Sequence, residues 1–329
     1  MTSSRWTAAD VPSLSGRVAV VTGASGGIGL ATATVLAQRA ATVVLACRDE
    51  RKADQAASQI WSVAPRADVR SVHLDLASLG SVRQAADQIL ARYPRLDLLI
   101  NNAAVMYVPF QRTEDGFELT FGTNHLGHFA LTGLVLPRLL DTPNSRVVSV
   151  SSLGHRGGEM RFGDLMRERH YQPSPVYWQS KLANLLFSYE LDARLAAAGA
   201  GTRALAAHPG IVLTGLWRTS PRWERAAISP RLRWINFWQA QSAARGALPT
   251  LRAATDPAAQ GGEYYGPGGY HEYTGHPVRV ASTASSHDPV AQRRLWDISE
   301  QLTGVRYPLP VPLGQRGGAM PQPVRHGIR

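Results

Sequence analysis

Short apolar runs alternate with helix-length segments along the first two-thirds of the chain, and nothing else in the sequence constrains the fold as much. The runs are RVAVVTG (17–23), TVVLAC (42–47), VRSVHL (69–74), LDLLIN (96–101), RVVSVS (146–151) and RALAAHP (203–209). Between them lie 27–40, 49–61, 78–92, 117–140 and 176–198, all long enough for helices. The runs are nearly continuous in apolar residues rather than alternating, as strands covered on both faces require. Strand–helix alternation with right-handed crossovers predicts an α/β fold: a doubly wound parallel sheet with helices on both faces.

With 329 residues, 44 % of them hydrophobic, the chain can bury a large core. We expect a single domain over 1–304. The lone cysteine, Cys47, excludes an internal disulfide and fits a reducing compartment, so a cytoplasmic location is expected. The first sixteen residues lack an apolar core of signal-peptide type, and no run approaches a membrane span. The formal charge of +11 comes from 35 basic against 24 acidic side chains. The arginines are spread along the chain without a block, which argues against a nucleic-acid partner. After 212 the pattern changes. Trp217, Trp223, Trp234 and Trp238 sit among prolines and arginines. We read about 215–240 as a substrate lid, with a packed cover as the bland alternative; membrane contact is not expected. Residues 261–270 read as a late strand ending in turns and 289–303 as a last helix. The Pro/Gly-rich stretch over 305–329 is expected to be disordered.

The segment VVTGASGGIGLATATVLA reads as strand, glycine turn, helix. Gly23, Gly27 and Gly29 permit positive φ and close backbone approach, so a pyrophosphate could rest on the helix N-terminus. The spacing TGxxxGxG differs from the GxGxxG of other dinucleotide folds. Strand two ends in CRDE. Arg48 comes first and suits a 2′-phosphate, which favours NADP(H) over NAD(H); Lys52 adds charge one turn later. The competing reading gives Asp49 to a ribose hydroxyl. We assign Asp49 instead to capping the helix that starts there.

Only two of the basic residues are lysines, Lys52 and Lys181. Lys181 ends the stretch YWQSK, at i+4 from Tyr177 on one helix face. An ammonium about 4–5 Å from a phenolate, at an effective dielectric of about 20, stabilises it by roughly 3–4 kcal/mol. The expected phenol pKa is then roughly 7–8, suited to a proton shuttle between carbonyl and alcohol. The slim ammonium also reaches ribose hydroxyls, which an arginine fork would not do as well.

In order along the chain stand TGASGGIG, NNAA (101–104), TNHLGHF (123–129), VSVSS (148–152), YWQSK and HPGIVLT (208–214). With this joint set the chain resembles the short-chain dehydrogenase/reductase family over about 14–304. Within it the chain is most similar to the retinol-dehydrogenase-like and WW-domain-oxidoreductase-like members. The resemblance implies a Rossmann-type fold and carbonyl–alcohol chemistry by hydride transfer. It implies Tyr177 as general acid/base and Lys181 as the residue that lowers its pKa and holds the nicotinamide ribose. Ser152, rather than Ser151, would bind the substrate oxygen, and Asn124 would hold a relay water. For the dinucleotide it implies Gly23, Ser25, Gly27, Ile28 and Gly29 in the turn, Asp75 and Leu76 at the adenine, and Asn101, Asn102 and Ala103 along the cleft. Pro209, Gly210, Val212 and Thr214 would meet the nicotinamide amide. Two departures stand out. Ala104 replaces the usual glycine of NNAG, and a long insert separates Ser152 from Tyr177, as in the retinol-dehydrogenase-like branch.

His125 and His128, at i and i+3, read as packing or local hydrogen bonds rather than metal ligands, and His155 completes no ligand set. Met106, Tyr107, Val108 and Phe110 are pocket walls or core. The expected activity is NADP(H)-dependent interconversion of a carbonyl and an alcohol on a bulky apolar small molecule. The rivals are a non-catalytic dinucleotide-binding regulatory protein and a sugar-nucleotide epimerase or dehydratase. A homodimer through the Tyr177 helix is expected by analogy.

Overall fold

The computed structural model describes residues 5–212 and 240–311. Their strands form one sheet of eight, in the order β3-β2-β1-β4-β5-β6-β7-β8. These are β1 (Val18–Thr22), β2 (Thr42–Cys47), β3 (Val69–His73), β4 (Leu98–Asn101), β5 (Arg146–Val150), β6 (Arg203–Ala207), β7 (Tyr264–Pro267) and β8 (Pro277–Arg279). The first seven run parallel, and β8 returns antiparallel to β7. The order reverses between β1 and β4, so their carboxyl ends open a crevice at a topological switch point. This is the Rossmann-type doubly wound sheet expected from the alternation.

Both faces are covered because strand side chains alternate. Ala19 and Val21 of β1 pack with Leu36 of α1 (Gly27–Gln38), Ile60 of α2 (Glu50–Val63) and Leu251. Val18 and Val20 face Val82 and Ile89 of α3 (Leu79–Arg92) and the long helices beyond it. There α4 (Leu119–Phe121), a π turn (Gly122–Leu126) and α5 (Gly127–Leu140) run on as one stretch. Beside it lies α6 (Pro173–Ala197). The shorter α7 (Ala243–Gly246) and α8 (Leu248–Thr255) precede β7, and α9 (Pro289–Thr303) follows β8. Local signals set the helix ends. The Asp49 carboxylate caps α2 by accepting from the Lys52 N–H at 3.1 Å, and Ser78 caps α3. Asp288 and Pro289 start α9, and Gly304, at φ +65°, ends it.

Two expectations need correction. The chain does not loosen at 305. Val305 and Tyr307 are buried, and the Tyr307 hydroxyl donates to the Phe129 carbonyl at 2.6 Å. The Phe129 ring meets Phe187, Trp296 and Tyr307 at centroid distances of 5.5, 5.3 and 4.9 Å. A Pro/Gly-rich composition hid one aromatic with a socket waiting for it; 312–329 lie outside the described residues. Second, β8 was not anticipated, because three residues carry no legible apolar pattern. The expected lid over 215–240 lies outside the described residues except at Ala240. Among the described residues no helix is long and apolar enough to cross a membrane.

Candidate active site

The crevice at the switch point is a cleft of about 400 Å³. Its floor is the glycine turn between β1 and α1. Gly23 and Gly27 adopt φ of +64° and +56°, where a side chain would strain the backbone. A Cβ on Gly29 would collide with the Gly23 carbonyl, so that glycine lets the helix start flush against the turn. Gly26 is the N-cap of α1 and offers no side chain to the first-turn N–H groups, and no acid stands in that turn. The helix start therefore meets the cleft as an uncapped anion-binding end. Ser25 and Ile28 line the same wall.

The opposite wall follows β4. Asn102 and Ala103 line the cleft, together with Ala104 and Val105. Asn101 does not. It is the last strand residue, its side chain points to the α5 face, and its amide donates to the Thr132 hydroxyl at 2.9 Å. That corrects the placement of Asn101 on the cofactor wall. Thr22 ties the two walls, since its hydroxyl oxygen accepts from the N–H groups of Asn102 (2.9 Å) and Ala103 (3.0 Å). Its proton goes to His128. Burial pushes His128 down to about 4, so the ring is neutral at physiological pH. Nδ1–H donates to the Asn124 carbonyl at 3.0 Å, and Nε2 accepts from Thr22 at 2.9 Å. His125 pairs with the Ser299 hydroxyl at 2.9 Å. Only the His128 bond to Asn124 is local; His128 also reaches Thr22 and His125 reaches Ser299, both far away in sequence. No metal-ligand cluster stands among the described residues.

One end of the cleft carries Tyr177 and Lys181, both buried and on one face of α6. The ammonium lies 5.7 Å from the centre of the phenol ring and donates to the Val150 carbonyl at 3.0 Å. The expected lowering of the phenol does not appear. Burial pushes Tyr177 up to about 12, opposed by a hydrogen bond with Ser152, and burial pushes Lys181 down to about 8. Coulomb attraction alone was the wrong guide, because both groups lose their water and each therefore favours its neutral form. The two serines diverge. Ser151 donates to the Lys181 carbonyl at 2.8 Å and fastens β5 to α6, whereas Ser152 reaches Tyr177. Asn124 stands in the π turn, a distortion that often marks functional positions. Its side chain accepts from the Val105 N–H at 2.8 Å and donates to the Val105 carbonyl and the Ser180 hydroxyl, both at 3.0 Å. Ser151 lines the cleft, Ser152 is half-buried beside Tyr177, and Asn124 is fully buried.

The other end holds Arg48, exposed at the tip of β2, with Asp75 and Leu76 nearby. Lys52 lines it too, but is paired with Asp49 at 3.2 Å. Arg48 forms no ion pair among the described residues. Pro209 lines the cleft. Gly210, at φ +67°, turns the chain behind it, and Val212 is buried beside Gln241. Thr214 lies outside the described residues. Several wall residues were missed, among them Gly26, Leu74, Val105, Thr123 and Val150. Thr123, 9 % exposed, lines the cleft, while its hydroxyl is buried and has no protein partner. Apart from its place next to Asn124 in TNHLGHF, nothing in the sequence marked it.

An uncapped helix start, a glycine turn that lets the backbone come close, and cationic residues at both ends fit a nicotinamide dinucleotide. Comparison with known proteins agrees. A family model for the short chain dehydrogenases matches residues 17–225. Mouse retinol dehydrogenase 12 is 39 % identical over 295 residues, covering 89 % of this chain and 88 % of that one. Human retinol dehydrogenase 13 is 40 % identical over 296 residues, covering 89 % and 86 %. Among solved structures, an uncharacterized protein from Mycobacterium paratuberculosis is 42 % identical, with a TM-score of 0.76 over 92 % of this chain and 99 % of that one. A short chain dehydrogenase from Shigella flexneri, solved with NADP, shares the fold at 24 % identity and a TM-score of 0.60, over 78 % and 98 %. The chain belongs to the short-chain dehydrogenase/reductase family, in its retinol-dehydrogenase-like branch. It is an oxidoreductase of the class that binds a nicotinamide dinucleotide.

Proposed function

We propose that this protein is an NADP(H)-dependent reductase or dehydrogenase that interconverts a carbonyl and an alcohol on a bulky, mostly apolar small molecule. The observation that carries this reading is one cleft with Tyr177 and Lys181 at one end, Ser152 beside Tyr177, and Arg48 at the other. The retinol dehydrogenases to which the chain is similar support an extended apolar alcohol or aldehyde as substrate. Gly23, Gly27, Gly29, Asn102, Thr123 and Arg48 would hold the dinucleotide, with Arg48 on a 2′-phosphate. When bound, the nicotinamide supplies or accepts the hydride.

This chain's own residues orient the substrate and move a proton. The Ser152 hydroxyl and the Tyr177 phenol converge on the place of the substrate oxygen and stabilise charge developing there. A phenol held at about 12 is protonated at neutral pH, so Tyr177 is poised as an acid that gives its proton to a forming alkoxide. Lys181, at about 8, is mostly an ammonium at pH 7 and steadies the phenolate left behind. The deciding experiment follows NADPH and NADH oxidation with a panel of apolar aldehydes and ketones, for wild type and Tyr177→Phe. Turnover in wild type, absent from Tyr177→Phe while NADPH binding persists, is the expected result. Faster turnover with NADH would remove the role of Arg48, and an active Tyr177→Phe would remove the mechanism.

A further inference from the structure

Behind the cleft, one carboxylate touches two segments of the site. Glu272 lies in the turn after β7. One of its oxygens accepts from the Arg156 guanidinium at 2.8 Å and the other pairs with His208 Nε2 at 2.9 Å. The His208 tautomer is fixed by its other nitrogen. Nδ1 accepts from the Gly210 N–H at 3.2 Å, so Nε2 carries the proton and donates it to Glu272. His208 is fully buried. Arg156 sits in the short 3-10 turn Leu153–Gly157, which Ser152 caps by accepting from the Gly154 N–H. Its neighbour His155 donates through Nδ1 to the Ser152 carbonyl at 2.6 Å.

The turn itself is held against its own preference. His271 and Glu272 both have positive φ, +48° and +61°, a left-handed conformation that disfavours residues with a side chain. It is knitted to the Pro209 loop by the Ile211 N–H donating to the Tyr273 carbonyl at 2.9 Å. Gln241 adds a second tie, donating to the Pro209 carbonyl at 2.7 Å and accepting from the Gly275 N–H at 3.3 Å. Burial works to raise the Glu272 carboxyl, but His208 and Arg156 outweigh it and hold it below its usual range, so the charge that grips both partners persists.

We propose that Glu272 is a positioning residue, whose carboxylate fixes the Ser152 turn and the Pro209–Gly210 loop relative to one another so that the substrate-binding and dinucleotide-binding edges of the site are set together. This rests on the reading of the cleft given above. Glutamine at 272 keeps an oxygen for His208 but lacks the charge for Arg156. Alanine removes both arms, and Arg156→Met cuts only the arm to Ser152.

The test measures backbone amide exchange without dinucleotide, NADPH affinity by fluorescence titration, and kcat and KM, on wild type, Arg156→Met, Glu272→Gln and Glu272→Ala. For Arg156→Met we expect faster exchange over 153–158 alone, unchanged NADPH affinity, and kcat reduced about 10-fold. Glu272→Gln should match Arg156→Met. Glu272→Ala should in addition speed exchange over 210–212 and weaken NADPH about 10-fold. Should Glu272→Ala fail to fold, Glu272→Met, which removes both arms while filling the space, tests the Pro209–Gly210 half, and Glu272→Gln and Arg156→Met test the Ser152 half. Variants with wild-type exchange in both segments, or exchange that rises equally across the sheet, overturn the proposal. A wild type that binds no NADPH instead overturns the dinucleotide reading, while amide exchange in the two segments still decides whether Glu272 clamps them.

Discussion

The region before residue 150 lines most of the cleft, whereas the region after 240 lines none of it and ties together elements around it. In the first, neighbours in sequence do the placing: a glycine turn opens α1, Arg48 follows the end of β2, and Asp49 caps the next helix. In the second, little is periodic, and residues far apart in sequence do the holding. Glu272 grips Arg156 and His208, Tyr307 closes over Phe129, and β8 adds a three-residue edge. The difference teaches that the cleft's residues are placed locally, while long-range ties come from segments that look featureless.

That contrast can be broken or sharpened by measurement. The largest effect belongs to the local chemistry. Tyr177→Phe should cut turnover by about 100- to 10,000-fold with little change in melting temperature, read by steady-state kinetics and thermal denaturation. The distant region should show its weight in stability. Tyr307→Ala should cost about 3–5 kcal/mol in denaturant unfolding, whereas Trp61→Ala, on a side chain 42 % exposed, should stay within about 1 kcal/mol. Equal losses would erase the distinction.

Buried histidines give an acid signature. His125 is held at about 3, and His128 and His155 at about 4, each by burial. Between pH 6.5 and about 4 the unfolded chain takes up protons that the folded chain refuses. Stability therefore falls as pH drops through that window, by roughly 3 kcal/mol per histidine. Melting temperature against pH should show it, and His125→Gln should make the slope shallower; an unchanged slope refutes the assignment.

Lys181 acts in the same direction but in a higher pH window. Its folded value, about 8, lies below the ordinary 10.5, so below pH 8 the folded protein carries the full cost of a buried ammonium. That cost, about 3 kcal/mol, is relieved as pH rises from 8 to 10.5. Lys181→Met should therefore melt no lower than wild type at pH 7, and its advantage should vanish near pH 10, even though turnover is lost. The smallest effect is expected at the exposed end, where Arg48→Ala should weaken NADPH by about 10-fold and leave NADH unchanged in titrations of both.

Much of the fold was legible in the residues because strand and helix signals are short-range. The run 42–47 and the helix 289–303 end where the structure ends them, since Gly304, Asp288 and the apolar runs act on their immediate neighbours. The cleft was legible for the same reason wherever a glycine or a helical i, i+4 pair defined it. Thr123 escaped because a threonine in a helical motif has no outward sign of an unpartnered hydroxyl. Asn101 was misplaced because adjacent asparagines differ only in the side of the sheet they face, which strand register decides.

By itself, then, the sequence determined the alternation of layers, the turn that only glycine can make, and the pairing of Tyr177 with Lys181. Those depend on backbone sterics and helix geometry, which operate over a few residues. Only the tertiary structure decided that both partners are buried, that Asn101 turns away from the cleft, and that Glu272 spans two loops. Burial and long-range hydrogen bonds sum over atoms brought together by the whole fold, and no local window of residues contains that sum.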